Sequence, residues 1–239
     1  GSLSSFTVNN VYDADGQLTE HVEPPAPLRR YLGASHWYLR DSNFAVDFTR
    51  NASLAQDFLT KETHDSVNGV IAIDTLFLKN MLEAMGSVTV PDYNTTVTAD
   101  NFYQLTQTHA QKDFFPGSSQ KKDFLRALSH SMLMKVAEDK SLSYAALLAQ
   151  LGKSLQEKDL LLAFNDPSLQ KVYTVNNLSS SLWDGRMQAA TTYLDTLGVI
   201  DANLGENKVN YYVRRAISQQ TQIEESGDMQ TTVSVEYSN

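Results

Sequence analysis

A chain of 239 residues with 41% hydrophobic and 20% charged residues can bury a sizeable core and reads as globular rather than disordered. Its 19 basic against 28 acidic residues give a formal net charge of -9, which argues against non-specific nucleic-acid binding and against adhesion to anionic lipid. With no cysteine, disulfides, zinc–thiolate sites, iron–sulfur clusters and cysteine nucleophiles are excluded. No apolar run reaches the ~20 residues that span a bilayer, and no basic-then-apolar signal opens the chain. Gly1-Ser2 reads as a tag-cleavage scar. Asn51, Asn94 and Asn177 head glycosylation sequons, which matter only in a eukaryotic secretory host.

In chain order, Phe6-Thr7-Val8 reads as a short strand ending in an Asp13-Ala14-Asp15-Gly16 turn. Pro27 opens a short helix through Leu32. Asn51 or Ser53 starts a helix with Leu54, Phe58 and Leu59 on one face. Val70-Ile71-Ala72-Ile73, an unbroken apolar run after Asn68-Gly69, predicts a central strand buried on both faces. Asp74 then caps a helix over Thr75 to Met85 that ends at Gly86, and Val88-Thr89-Val90 follows as a strand closed by Pro91. That order is the strand–helix–strand unit of an α/β sheet.

Thr98 starts a further helix, and the loop Pro116-Gly117-Ser118-Ser119 precedes a long one striped by Leu125, Leu128, Met132 and Val136. Ser143 caps a helix to about Gln156, Leu160 to Phe164 is a buried strand, and Asp166-Pro167 caps another helix. Thr191 to Ala202, Tyr211 to Ile223 and Met229 to Tyr237 read as strands, the last two joined as a hairpin through Glu225-Ser226-Gly227-Asp228. The expected fold is therefore a single α/β domain over residues 1–239, a mixed sheet covered by helices with an antiparallel C-terminal section.

Chemistry concentrates between Trp37 and Phe48, where Arg40, Asp41, Asn43 and Asp47 fall within eight positions among aromatics. In phosphoryl transfer an arginine neutralises developing charge on phosphate oxygens, while a carboxylate and an amide hold a divalent cation. Arg40 and Asp41 are thus candidate catalytic residues, Arg40, Asn43 and Asp47 candidate ligand-binding residues, and Asp41 and Asp47 candidate metal ligands. The same residues equally make an Arg–Asp pair and an asparagine that satisfy backbone groups in an irregular corner. Trp37, Tyr38 and Phe44 offer surfaces on which a sugar ring could stack, or belong to the core.

Elsewhere the signals are weaker. Asp13-Ala14-Asp15-Gly16 opens like a calcium loop but lacks the later acidic ligands. Asp74 stands at the C-terminal end of a strand, where helix capping accounts for it. The five histidines lack metal-ligand spacing, and no nucleophile elbow, Walker loop, His-Glu-x-x-His or dinucleotide glycine pattern occurs.

Three blocks, Arg40-Asp41-Ser42-Asn43-Phe44, Asn68-Gly69-Val70-Ile71-Ala72-Ile73-Asp74 and Asp201-Ala202-Asn203-Leu204-Gly205-Glu206-Asn207-Lys208, resemble an uncharacterised bacterial family, the domain of unknown function numbered 4012; Tyr211-Tyr212-Val213-Arg214 fits its C-terminal pattern. The resemblance implies an extracytoplasmic domain, preceded by a segment absent here and by a transmembrane anchor. It also singles out Lys208 and Arg214 as candidate ligand-binding residues, ahead of Arg215, which would face the opposite side of the same strand. More distantly, the order of elements resembles the LytR-CpsA-Psr proteins, which transfer polyprenyl-pyrophosphate-linked glycopolymers to the bacterial cell wall. Their Pro-Arg-Asp motif would fall at Leu39-Arg40-Asp41. Where they carry a further arginine pair, this chain has Lys121-Lys122, point charges without the bidentate fork.

Two functional expectations follow from the resemblance. The first is a cell-envelope domain that binds glycan, lipid-linked glycan or an envelope partner, with no cofactor and no nucleic acid, reaching the membrane only through the upstream anchor. The second is a Mg²⁺-dependent phosphotransferase that attaches glycopolymers from a polyprenyl-pyrophosphate carrier. If Arg40 is consumed by buried carboxylates the binding module is favoured; if it lines a pocket beside an apolar tunnel the transferase is.

Overall fold

The computed structural model describes residues 7, 9–111, 120–181, 197–201 and 212–239. They fall into two compact units, one formed by Gly1–Glu23 with His36–Leu194 and one by Pro24–Ser35 with Asp195–Asn239. Among the described residues, helices alternate with three separate two-stranded antiparallel sheets.

In the first unit, α1 (Val11–Asp15) is capped by Asn10 and ends at Gly16, so the predicted Asp13–Gly16 turn is a helix instead. A 3-10 turn (Leu39–Asp41) leads into α3 (Phe48–Thr63), whose N-cap is Asp47 rather than Asn51 or Ser53. The strand β1 (Gly69–Ile73) precedes α4 (Thr75–Met85), capped as expected by Asp74, whose carboxylate accepts from the Phe77 N–H at 2.8 Å. The short strands β2 (Val88–Val90) and β3 (Thr95–Val97) form a hairpin around a 3-10 turn at Pro91–Tyr93. Then come α5 (Phe102–Gln111), α6 (Gln120–Glu138), α7 (Tyr144–Glu157) capped by Ser143, β4 (Leu160–Phe164), and α8 (Pro167–Val175) capped by Asp166.

The main core gathers Met81, Leu82 and Met85 of α4, Val88, Val90 and Val97 of the β2–β3 hairpin, Phe102, then Phe124, Leu128 and Met132 of α6. All four stripe residues expected on α6 join it, Leu128 and Met132 as buried members and Leu125 and Val136 packed against them. A smaller core joins Phe48 and Ala52 of α3 to Ala163, with Val70, Ala72 and Leu161 packed against it.

The sheet differs most from expectation. β1 pairs with β4, antiparallel, from Gly69 opposite Phe164 to Ile73 opposite Leu160, and with no other strand among the described residues. Alternation turns Val70 and Ala72 toward the α3 core, while Ile71 and Ile73 are 65% and 49% exposed. An unbroken apolar run predicts cover on both faces, yet Ile71 and Ile73 stay exposed even though their partners Leu162 and Leu160 on β4 are buried. Because β1 and β2 belong to different sheets, the predicted strand–helix–strand unit of one α/β sheet is absent among the described residues. Gly69 is dictated by the pairing: a Cβ there would lie 2.6 Å from the Ala163 carbonyl oxygen.

In the second unit, α2 (Ala26–Leu32) has proline in its first turn and ends at Gly33 in the left-handed conformation. The hairpin of β5 (Arg214–Ile223) and β6 (Met229–Ser238) realises the expected antiparallel C-terminal section. Residues 197–201, read as part of a strand from Thr191, are not in one. Phe6, Val8 and Pro116–Ser119, expected in a strand and a loop, lie outside the described residues. Among the described residues, no helix is long and apolar enough to cross a membrane.

Candidate functional site

The Trp37–Phe48 segment forms a corner in which charges are satisfied from within. Arg40 and Asp41 sit on the 3-10 turn, facing α1 and α3. The Arg40 guanidinium donates through Nη1 to Asp15 Oδ2 at 2.8 Å, and its Nε lies 3.5 Å from Asp41 Oδ2. Its Cζ stands 4.2 Å from the centre of the Tyr38 ring and 5.6 Å from that of Tyr12. Asp15 is buried, whereas the Arg40 side chain is 34% exposed. Partial burial works against the Arg40 charge, and the hydrogen bond and charge of Asp15 more than offset it, so its pKa rises.

A fourth charged group completes the corner. Glu62, in the last turn of α3, is 1% exposed; its Oε1 accepts the Leu39 N–H at 3.0 Å and its Oε2 is buried with no hydrogen-bond partner among the described residues. Loss of solvent pushes the Glu62 pKa up, against the favourable Leu39 contact. Asp41 is raised as well, by burial first, with Arg40 pulling it back down. Sequence reading passed over Glu62, although the signal was present: Phe48, Ala52, Phe58 and Glu62 follow one helical stripe, and a carboxylate on a buried stripe must be desolvated.

A raised carboxylate pKa means that the folded state binds the proton more tightly than the unfolded chain. The Glu62 penalty is therefore full above its folded pKa and is relieved as pH falls from there toward the ordinary value of 4.5. Between neutral pH and about pH 5, the wild-type melting temperature should rise relative to that of Glu62→Gln. Parallel melting curves for the two proteins over that interval would reject this origin of the pH dependence.

The other candidates have local partners. Asn43 Oδ1 accepts from Asn51 Nδ2 at 2.8 Å; Asn51 also accepts the Ala45 N–H and donates to the Ala45 carbonyl, pinning the loop to α3. Asn51 is buried by this role, which hides that sequon in the folded chain. Asp47 Oδ1 accepts from the backbone N–H groups of Thr49 and Arg50 and from the Thr49 hydroxyl. Trp37 donates from its indole to the Asp41 carbonyl and meets Phe58 edge-on, while Tyr38 stacks on His36 as well as beneath Arg40. Lys208 lies outside the described residues. Arg214 and Arg215 are neighbours on β5, and it is Arg215 whose partners are visible: Asp201 Oδ2 at 2.6 Å and the Val199 carbonyl at 3.1 Å. Among the described residues, no three histidine, aspartate or glutamate side chains are arranged to hold a metal ion.

Open space lies beside this corner and away from its arginine. A cavity of about 480 Å³ opens between α1 and α3, lined by Asn10, Asp13, Gln17, Leu39, Leu59 and Asp65 among others. A second, of about 470 Å³, lies between α3, β4 and α8. Its wall carries hydroxyls and amides (Thr49, Ser53, Gln56, Asn165, Gln170, Thr174), with Ala52, Ala163 and Phe164 as the apolar part. Among the described residues Asp57 is the one charged residue lining it, and Arg40 and Asp41 line neither cavity.

The corner lies within the part of the chain that a family model covers. Residues 2–110 match the family described as "Protein of unknown function (DUF4012)", which supports a domain of unknown function family. No curated protein and no solved structure matches the chain.

Proposed function

We propose that this chain is a non-catalytic module of the bacterial cell envelope, held outside the membrane, that binds a neutral stretch of glycan in the cavity between α3, β4 and α8. The observation that carries the reading is the chemistry of that wall: hydroxyls and amides over a small apolar floor, with no cation among the described residues. Such groups donate to and accept from sugar hydroxyls, while Ala52, Ala163 and Phe164 can meet the apolar face of a ring. Among the described residues the one charge a pyrophosphate would meet there is the carboxylate of Asp57, which repels it.

Arg40 supports the same reading from the other side. Its charge is held by Asp15 and Asp41 and its face by Tyr38, so little is left to clamp a phosphate. The envelope address rests on the family resemblance and carries no weight in the cavity argument.

Titration of the protein with neutral chito-oligosaccharides, followed by calorimetry, tests the reading. Ser53 is exposed on α3 and lines the cavity, so Ser53→Trp fills the space without entering the core. Saturable binding is expected, weakened about tenfold or more by Ser53→Trp (about 1.4 kcal/mol) and left unchanged by Arg40→Lys. Saturable, Mg²⁺-dependent binding of a polyprenyl pyrophosphate that is lost in Arg40→Lys would put the glycopolymer phosphotransferase in its place.

A further inference from the structure

The β5–β6 hairpin leaves a contact surface open. All twenty of its residues are exposed, and the ladder runs unbroken for ten pairs from Arg214–Ser238 to Ile223–Met229. Cross-strand partners share a face and neighbours alternate. Arg215 with Tyr237, Ile217 with Val235, Gln219 with Val233, Thr221 with Thr231 and Ile223 with Met229 therefore share one face, which is apolar apart from Arg215, Gln219 and the threonines. Ala216–Glu236, Ser218–Ser234, Gln220–Thr232 and Gln222–Gln230 make the other, which is polar. Among the described residues neither strand has a second neighbour. The free edge of β6 has no proline, no lysine and no bulge, and Glu236 near its end is its single charge. Two strands alone are marginal in water, and a third or fourth strand is the ordinary remedy.

We propose that a second copy of this chain supplies that strand, β6 pairing antiparallel with β6 about a two-fold axis at Val233. The sequence of β6 is complementary to itself in this register. Val233 meets Val233, Thr231 meets Val235 and Met229 meets Tyr237 on the apolar face, while Thr232 meets Ser234 and Gln230 meets Glu236 on the polar one. A shift of one residue would set apolar against polar side chains along the whole edge. No like charges fall opposite each other, which matters for a chain of net charge -9.

Charge complementarity favours the antiparallel arrangement. It brings the turn of one copy, with Glu224, Glu225 and Asp228, alongside the end of the other copy's hairpin, where Arg214 and Arg215 lie. Those arginines sit one strand beyond the new seam, about 10 Å away and within reach of weakly screened attraction. Asp201 braces that end of each hairpin: it accepts from Arg215 and from the Tyr237 hydroxyl at 2.7 Å, tying together two residues that face each other across the strands. The product is a four-stranded sheet in which Val233, Val235 and Thr231 of the two copies meet at the centre of one face. This surface is independent of the glycan reading.

Sedimentation across the micromolar range should give a concentration-dependent species of twice the 26.6 kDa of one chain. Val233→Lys sets two ammonium groups against each other on the axis and should weaken association about tenfold or more. Gln220→Lys, on the polar face of β5, should leave it unchanged. Because the chain has no cysteine, Val233→Cys provides a second readout: mild oxidation should cross-link it into a covalent dimer, and Gln220→Cys should stay monomeric. A monomer at every concentration, or a dimer indifferent to Val233→Lys, overturns the proposal. So does a monomer that co-sediments with lipid vesicles through this face, which would assign the face to a membrane surface instead.

Discussion

Arg40→Ala is expected to destabilise the protein by ~2–3 kcal/mol, the lower part of the range for a broken buried ion pair because the arginine keeps a third of its surface in water. The loss comes from what the arginine leaves behind. Asp15 and Glu62 are both buried, and without the guanidinium they stand as carboxylates with no cation beside them among the described residues. Arg40→Lys should cost less, since an ammonium can still meet Asp15 but gives up the planar stacking on Tyr38. The Arg40→Ala deficit should shrink on acidification: Arg40 holds the raised pKa values of Asp41 and Glu62 down, so without the guanidinium both rise further and protonation favours the folded state as pH falls through them. Chemical denaturation of Arg40→Ala, Asp15→Asn and the double variant measures the coupling, which should be ~1–3 kcal/mol for groups in direct contact. Unchanged stability together with lost phosphate binding would instead make Arg40 a ligand residue.

What the sequence made legible was local. Asp74, Ser143 and Asp166 cap the helices at the positions read from their spacing, because a cap needs only an oxygen two or three residues ahead of its partner N–H. The C-terminal hairpin was legible for the same reason: two extended runs are joined by a five-residue turn containing glycine. Long-range pairings were not legible. β1 meets β4 some ninety residues further on, Arg40 meets Asp15 twenty-five residues back, and neither distance leaves a mark on the local pattern. A run such as Val70–Ile73 says that a strand is apolar on both sides, not whether a second layer arrives to cover it.

The candidate site divides the same way. Its residues were found together because they are adjacent in sequence, and adjacency is also what a tight corner requires. What separates a corner from a clamp is who holds the arginine, and both principal holders, Asp15 and the Tyr38 ring, have ordinary local sequence contexts. Asp47 entered the candidate site through its place beside Arg40, Asp41 and Asn43, with the helix expected to start at Asn51 or Ser53. With the start at Phe48, the same carboxylate is the cap, and Asn51 moves inside the first turn to fix the preceding loop.

The largest effect on stability should come from Phe124→Ala, at ~3–5 kcal/mol. Phe124 is 1% exposed at the centre of the main core, where α6 crosses the β2–β3 hairpin. Its ring stacks on His109 at 4.5 Å and meets Tyr93 edge-on at 5.1 Å, so truncation removes aromatic contacts from α5 and from the 3-10 turn as well as opening a cavity. The neighbours cannot close in easily: Val90 and Val97 are held by the register of a three-pair hairpin, and Leu128 lies one turn along the same helix. Leu133→Ala, on the exposed side of α6, should stay within about 0.5 kcal/mol and serves as the matched control for helix propensity. Circular dichroism at the helical band reports this unit almost alone, since α2 is the only described helix outside it. Urea titrations should show the midpoint of Phe124→Ala shifted with the slope retained. Equal midpoints for Phe124→Ala and Leu133→Ala would mean that α6 does not hold this core together.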